Sequence, residues 1–182
     1  MRLKPSRNPI ICVLSACLFA TVAGAQAEGL GLELLGVRGG FSASSFNAQF
    51  FQSEVFVDWR LPWSWTWADD WHLEPKLDLS AGWIRGRADE GFVGTVGPSL
   101  HLRRKSIPLR LDLGVSPTYL SRDEFGETNF GVPFQLTSHA GLLLELGSHV
   151  VLGYRLQHMS NARLSPHNPG LNLHSFALGY RF

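Results

Sequence analysis

His158 and Ser160 stand two residues apart in the run His158-Met159-Ser160-Asn161-Ala162, at the end of a stretch that alternates like a β-strand. A period of two puts both side chains on one face, together with Leu152, Tyr154 and Leu156. A serine hydroxyl becomes a useful nucleophile when a base within hydrogen-bond reach takes its proton, and imidazole is a common base for that task. Two strand rises separate the pair by about 6.5–7 Å along the backbone, a gap that side chains can close. The chemistry on offer is acyl transfer to serine, and so hydrolysis of an ester. If the strand belongs to a membrane barrel, the shared face is the lipid side and the substrate arrives as a lipid. Polar groups are costly in hydrocarbon, so their presence there needs a reason. The competing reading is an interfacial pair that only touches headgroups, since His-x-Ser alone is a weak motif.

The elements that would position this pair are strands. Eight segments alternate or are apolar enough to qualify: 32–39, 50–61, 72–84, 92–102, 108–119, 132–146, 149–160 and 171–182. In the second, Phe51, Val55, Val57, Trp59 and Leu61 share one face, and Gln52, Glu54, Asp58 and Arg60 the other. In the third, Leu73, Leu77, Leu79, Ala81 and Trp83 oppose Glu74, Lys76, Asp78 and Ser80. Gly40 to Gln49 and Ser121 to Gly131 read as loops, and Arg103-Arg104-Lys105-Ser106 as a basic turn. Asn168-Pro169-Gly170 is a strong turn signal before the last strand. Eight segments of this length fit a small closed barrel of tilted spanning strands. The expected fold is all-β: an eight-stranded antiparallel transmembrane β-barrel, narrow enough for side chains to fill. A soluble β-sandwich or lipocalin-like barrel is the alternative, with the apolar faces turned inward. The cluster Trp63, Trp65, Trp67 and Trp71 favours an interfacial aromatic group beside a membrane. The terminal Phe182, inside an alternating strand, is an ending of the outer-membrane type.

The N-terminus reads as a secretory signal. Arg2, Lys4 and Arg7 precede the apolar stretch from Ile10 to Val22, and small residues offer cleavage after Ala25 or Ala27. A lipoprotein site at Cys17 is the weaker reading, because the apolar run continues past it. The expected organisation is a signal peptide over 1–25 and one barrel domain over 26–182. Both cysteines, Cys12 and Cys17, fall in the removed segment, so the mature protein is expected to have neither disulfide nor thiol chemistry. Without the three leading cations, 13 of 16 basic residues face 15 acidic ones, a net charge near −2. That balance gives no support to nucleic-acid binding. No run of 18 apolar residues follows the signal, which argues against a transmembrane helix and not against a barrel.

The segment from His158 to Ala162, then Asn168-Pro169-Gly170 and the closing Gly179-Tyr180-Arg181-Phe182, resembles the C-terminal signature of the outer-membrane lipid A 3-O-deacylase family. The likeness is densest over about the last 30 residues, and size, signal and strand pattern agree along the rest. It implies hydrolysis of the ester-linked acyl chain at the 3-position of lipid A, with no cofactor. Ser160 matches the family nucleophile, His158 the general base, and Asn161 a residue that helps form the oxyanion hole. The family pattern places a glutamate fourteen residues after the histidine; here that position is Asn172. An asparagine can hold the imidazole tautomer but cannot supply the charge that stabilises imidazolium.

With both termini periplasmic, the site would lie near the outer leaflet, where lipopolysaccharide is. His174 shares the outward face with Asn172 and is a candidate contact for the substrate, or simply an interfacial histidine. Asp123, Glu124 and Glu127 sit in another outward loop with no spacing argument. His72, His101, His139 and His149 are spread over different strands, so no metal site is expected. A homodimer that shields the outward site is a candidate assembly. The rivals are a non-enzymatic small barrel and a phospholipase or general esterase of the same chemistry.

Overall fold

The computed structural model describes residues 31–43, 49–68 and 70–182, and the expected signal peptide lies outside these residues. Eight long strands form the body: β1 Leu32–Ser42, β2 Phe50–Arg60, β3 Trp71–Gly86, β4 Asp89–Arg104, β5 Leu109–Leu120, β6 Phe134–Leu146, β7 Val150–Ser160 and β8 Leu171–Arg181. Each pairs antiparallel with the next, and β8 pairs back onto β1 from Leu34↔Arg181 to Ser42↔Leu173, so the sheet closes on itself. Closure leaves no long strand with an unpaired edge, the requirement for backbone in a bilayer.

The direction of the pleat separates the two barrel readings. Inward positions are buried and largely polar or charged: Arg38, Glu54, Asp58, Lys76, Asp78, His101, Asp112, His139, Arg155 and Gln157 among them. Outward positions carry exposed apolar residues such as Val96, Leu100, Leu113, Leu142, Leu152, Leu156 and Leu178. A soluble lipocalin-like barrel would show the reverse. Charges are tolerated inside because they answer one another. Arg38 pairs with Glu54 and, at 3.5 Å, with Asp78; Arg155 reaches the same two carboxylates at 3.5 and 3.6 Å. Nearer the terminal end, Glu33 gathers Lys76, Arg110 and Arg60.

Strand limits differ from the sequence reading at their ends. β1 runs on through Gly40 to Ser42, and β3 and β4 extend to a two-residue turn at Arg87-Ala88, where Arg87 has φ 55°. Polar side chains at these ends hide the alternation, while the ladder continues because the neighbouring strand is already there to pair with. A short strand, Trp65–Trp67, folds back on Trp71–Leu73 and leaves Trp63, Trp65 and Trp67 exposed at the end of the barrel where β1 begins and β8 finishes.

The stretch expected as a long polar loop contains a small hairpin, Glu124–Phe125 with Thr128–Asn129, turning through Gly126 at φ +59°. Its purpose is packing. Phe125 and Phe130 meet Phe50 edge-on, with ring centroids 5.6 and 5.7 Å apart. Ile84, Val93, Leu120, Met159, Leu171 and Leu173 complete an apolar plug inside this end of the barrel. Met159 and Leu171 tie the plug to the ends of β7 and β8, and so to the residues between which the candidate site lies.

Candidate active site

His158 occupies the outward face of β7, between two neighbours set by register: Asn172 on β8 and Ser138 on β6. The His158 ring donates from Nδ1 to Asn172 Oδ1 over 2.7 Å. An amide oxygen carries no proton, so Nδ1 must hold the ring's hydrogen and Nε2 keeps a lone pair. That is the tautomer a general base needs. Gly170, at φ +67°, backs onto the ring; a Cβ there would stand 3.2 Å from His158 Cε1, and the backbone conformation itself favours glycine.

Ser160 ends β7 on the same face and is half-buried. Among the described residues its hydroxyl makes no hydrogen bond to His158. Catalytic hydrogen bonds of this kind often tighten only when substrate is bound. What the fold fixes is shared face, strand and end.

Asn161 points the other way and is fully buried. Its Nδ2 donates to the carbonyls of Phe130 and His167, at 2.9 and 2.7 Å, and its Oδ1 accepts the Arg163 N–H at 2.9 Å. Its backbone N–H reaches Asn168 Oδ1 at 3.1 Å, and its carbonyl accepts Leu164 N–H. These bonds hold a sharp turn in which two successive non-glycine residues, Ala162 and Arg163, have φ of 51° and 68°. Both side-chain hydrogens of Asn161 are therefore engaged within the protein. A direct donation from this amide to an ester oxyanion would require one of them to be released.

His174 lies one pair along β8. Its Nδ1 meets the Tyr154 hydroxyl at 2.9 Å, and its ring lies 5.6 Å from that of Phe41. It belongs to an outward aromatic group with Phe176 and Tyr154 rather than to the His158–Asn172 pair. The outer-loop acids are used elsewhere: Glu124 accepts from Asn129, and Glu127 pairs with Arg87 at 3.1 Å. Among the described residues no carboxylate bonds His158. Two of the dispersed histidines do converge, but inside the barrel, where His101 and His139 approach Asp112 at 3.4 and 3.2 Å. No group of three or more potential metal ligands with suitable geometry occurs among the described residues.

Ser138, Gly170 and the Phe130 and His167 carbonyls escape a reading of the sequence. Each is brought to the site by register or loop closure, which one strand's pattern does not contain.

The profile of the lipid A 3-O-deacylase (PagL) family matches residues 52–181. The chain belongs to the lipid A 3-O-deacylase (PagL) family. It is 24% identical to the lipid A deacylase PagL of Bordetella bronchiseptica over 196 aligned positions that take in the whole of both chains. A crystal structure described as the outer membrane enzyme PagL superposes with a TM-score of 0.67 at 18% identity, covering 79% of this chain and 97% of that one. The N-terminal β-barrel domain of Pseudomonas aeruginosa OprF superposes with a TM-score of 0.51 at 13% identity, covering 84% and 99%. At these identities the structural likenesses speak for the barrel, and membership of the PagL family rests on the sequence match.

Proposed function

We propose that this PagL-family barrel removes the ester-linked 3-hydroxyacyl chain at position 3 of lipid A, with Ser160 as nucleophile, His158 as general base and Asn172 as the residue that orients it. Family membership and the closed barrel support lipid A deacylation, hydrolase chemistry and association with lipopolysaccharide and the outer membrane in general terms. The observation that carries the finer reading is the His158–Asn172 bond on the outward, apolar wall. It fixes a basic Nε2 where a lipid ester can reach it.

In the proposed cycle His158 Nε2 takes the proton of Ser160, and the serine oxygen attacks the acyl carbonyl. The tetrahedral intermediate collapses, His158 returns its proton to the departing sugar oxygen, and an acyl-serine remains. Water, deprotonated by His158, then releases the 3-hydroxy fatty acid and restores Ser160. Asn161 enters this proposal as the residue that shapes the oxyanion pocket by holding the turn after the nucleophile. His174 enters it as a contact for the substrate, beside Tyr154. With a signal peptide over 1–25 and both barrel ends of the chain in the periplasm, the site faces the outer leaflet. A homodimer shielding this wall belongs to the same reading, and the protein mass in detergent checks it.

The test is mass spectrometry of lipid A incubated with the folded protein, wild type beside Ser160→Ala. Loss of one 3-hydroxyacyl unit from the 3-position with wild type alone supports both activity and nucleophile. Loss with both proteins keeps the activity and removes Ser160 from its role. No loss with either folded protein defeats the proposal.

A further inference from the structure

Among the described residues every arginine except Arg163 has a carboxylate partner: Arg38, Arg60, Arg110 and Arg155 as above, and Arg85, Arg87, Arg103, Arg104, Arg122 and Arg181 at the rims. Arg163 has none, and it is exposed. The segment 161–170 that carries it contains no acidic residue at all. An unpaired guanidinium on a frayed loop would mean little. This one leaves the backbone at a position with φ 68°, closed by its own N–H onto the buried Asn161 side chain at 2.9 Å. That side chain is in turn fastened to Phe130 and His167. Two consecutive left-handed non-glycine residues cost free energy, and they persist where the surroundings over-determine them. Arg163 therefore projects from a held turn.

Its place along the strand gives it meaning. Tyr154, Leu156, His158 and Ser160 succeed one another on the outward face of β7. Leu152 and Leu156 lie on the waist side of Ser160, and Arg163 lies on the other side, past the strand end. A lipid whose ester sits at Ser160 lays its acyl chain along the leucines and its headgroup on the side of Arg163. A planar guanidinium with no competing carboxylate suits a phosphate monoester, which it can grip through two parallel N–H···O bonds.

We propose that Arg163 is the headgroup anchor of this site: it binds a phosphate of the lipid A disaccharide and so sets substrate preference. This rests on the deacylase reading given above and adds a residue to it.

The experiment compares phosphorylated lipid A with the same lipid after enzymatic dephosphorylation, in detergent micelles, for wild type, Arg163→Asn and Arg163→Lys. Asparagine tolerates the left-handed backbone and removes only the charge and reach. On phosphorylated lipid A, Arg163→Asn should raise KM about 10- to 100-fold, the range of a charge-assisted hydrogen bond, with kcat nearly unchanged. On dephosphorylated lipid A the same variant should match wild type, and Arg163→Lys should fall between. Equal loss on both substrates, or no loss on either, overturns the proposal. Binding of the two lipids to Ser160→Ala protein, with and without Arg163→Asn, keeps the question separate from catalysis. If wild type cleaves neither lipid but Arg163→Asn still abolishes preference for the phosphorylated one, the anchor stands and the deacylase reading falls. If binding shows no such preference, the anchor falls. Inorganic phosphate at millimolar concentration should displace the lipid poorly; displacement as effective as by lipid A itself would mark a free-phosphate site and overturn the headgroup assignment.

Discussion

The imidazole of His158 is oriented by an amide rather than a carboxylate: its Nδ1–H donates to Asn172 Oδ1 across 2.7 Å, between directly paired residues of β7 and β8. The amide sets the tautomer but would offer no full charge to the imidazolium of the proposed cycle. Replacing Asn172 by Glu supplies that charge at the same register position. A charge-assisted hydrogen bond is roughly twice as strong as a neutral one, and about 1.4 kcal/mol of transition-state stabilisation is tenfold in rate. Asn172→Glu should therefore raise kcat about tenfold, while Asn172→Leu, which frees the ring to turn, should lower it about 100-fold. Steady-state kinetics of the folded variants decide. A glutamate variant no faster than wild type would show that imidazolium formation does not limit the rate.

Ser138 faces His158 from the other side, on β6, and is exposed on the same wall. Directly paired residues have Cβ atoms about 4.5–5.5 Å apart, closer than residues two apart on one strand, so backbone geometry alone does not choose between the serines. We propose Ser160 on the resemblance of the segment from His158 to Ala162 to the family signature. Ser160→Ala should lose about 10⁴-fold or more in kcat, and Ser138→Ala should stay within about threefold, since a neighbour that only lines the wall carries no transition-state charge. Trapping the acyl-enzyme and sequencing the labelled peptide gives the answer directly. A label on Ser138 would move the nucleophile.

Much of this was legible in the residues, and what was not has a physical cause. Period-two alternation, or apolar character where alternation is weak, located the eight long strands, because most of them have one wall toward a largely polar interior and an apolar wall facing outward. It could not say which wall was inside; Glu54, Asp78 and Arg155 settle that by being buried together. The pairing of His158 with Asn172 could be stated beforehand only through resemblance, since fourteen residues of chain, including a loop, separate them. The structure supplies the register. Phe125 and Phe130 were hidden because they sit among Asp, Glu, Gly and Asn, a composition that reads as solvated loop. Their burial depends on the cavity that the other strands enclose. Asn161 was legible as a neighbour of Ser160, but its direction was not: at the strand end the chain turns, and the side chain goes inward to the plug.

Asn161→Ala removes one donor from the buried Phe130 carbonyl, one from the part-buried His167 carbonyl, and the acceptor for Arg163 N–H. Each buried partner left unsatisfied costs about 1–3 kcal/mol, and the left-handed pair at Ala162 and Arg163 loses its support. The variant should lose about 2–4 kcal/mol against urea in detergent and most of its activity, even where the barrel is fully folded. Asn161→Asp should be worse, because a carboxylate brings only acceptors to two carbonyl oxygens. Stability retained with activity lost would place Asn161 in the chemistry itself, donating to the oxyanion after releasing one carbonyl.

The four charges at the waist of the barrel form a balanced set: Arg38 and Arg155 each face Glu54 and Asp78. Glu54 also accepts from Gln52 and Ser80 at 2.9 Å. Glu54→Gln leaves two buried guanidinium groups facing one carboxylate, and breaking a buried pair in this way costs about 3–5 kcal/mol. Arg38→Met alone should cost a similar amount. The double variant, Arg38→Met with Glu54→Gln, leaves the Arg155–Asp78 pair at 3.6 Å and restores charge balance, so its loss should be clearly smaller than the sum of the single losses. Urea midpoints of the four proteins, folded in the same micelles, give the coupling. Because His158, Ser160 and Asn172 lie on the outer wall near one end, kcat per folded molecule should change less than about twofold in all of them. Additive losses would mean that the strands, rather than the charges, hold the waist of this barrel together.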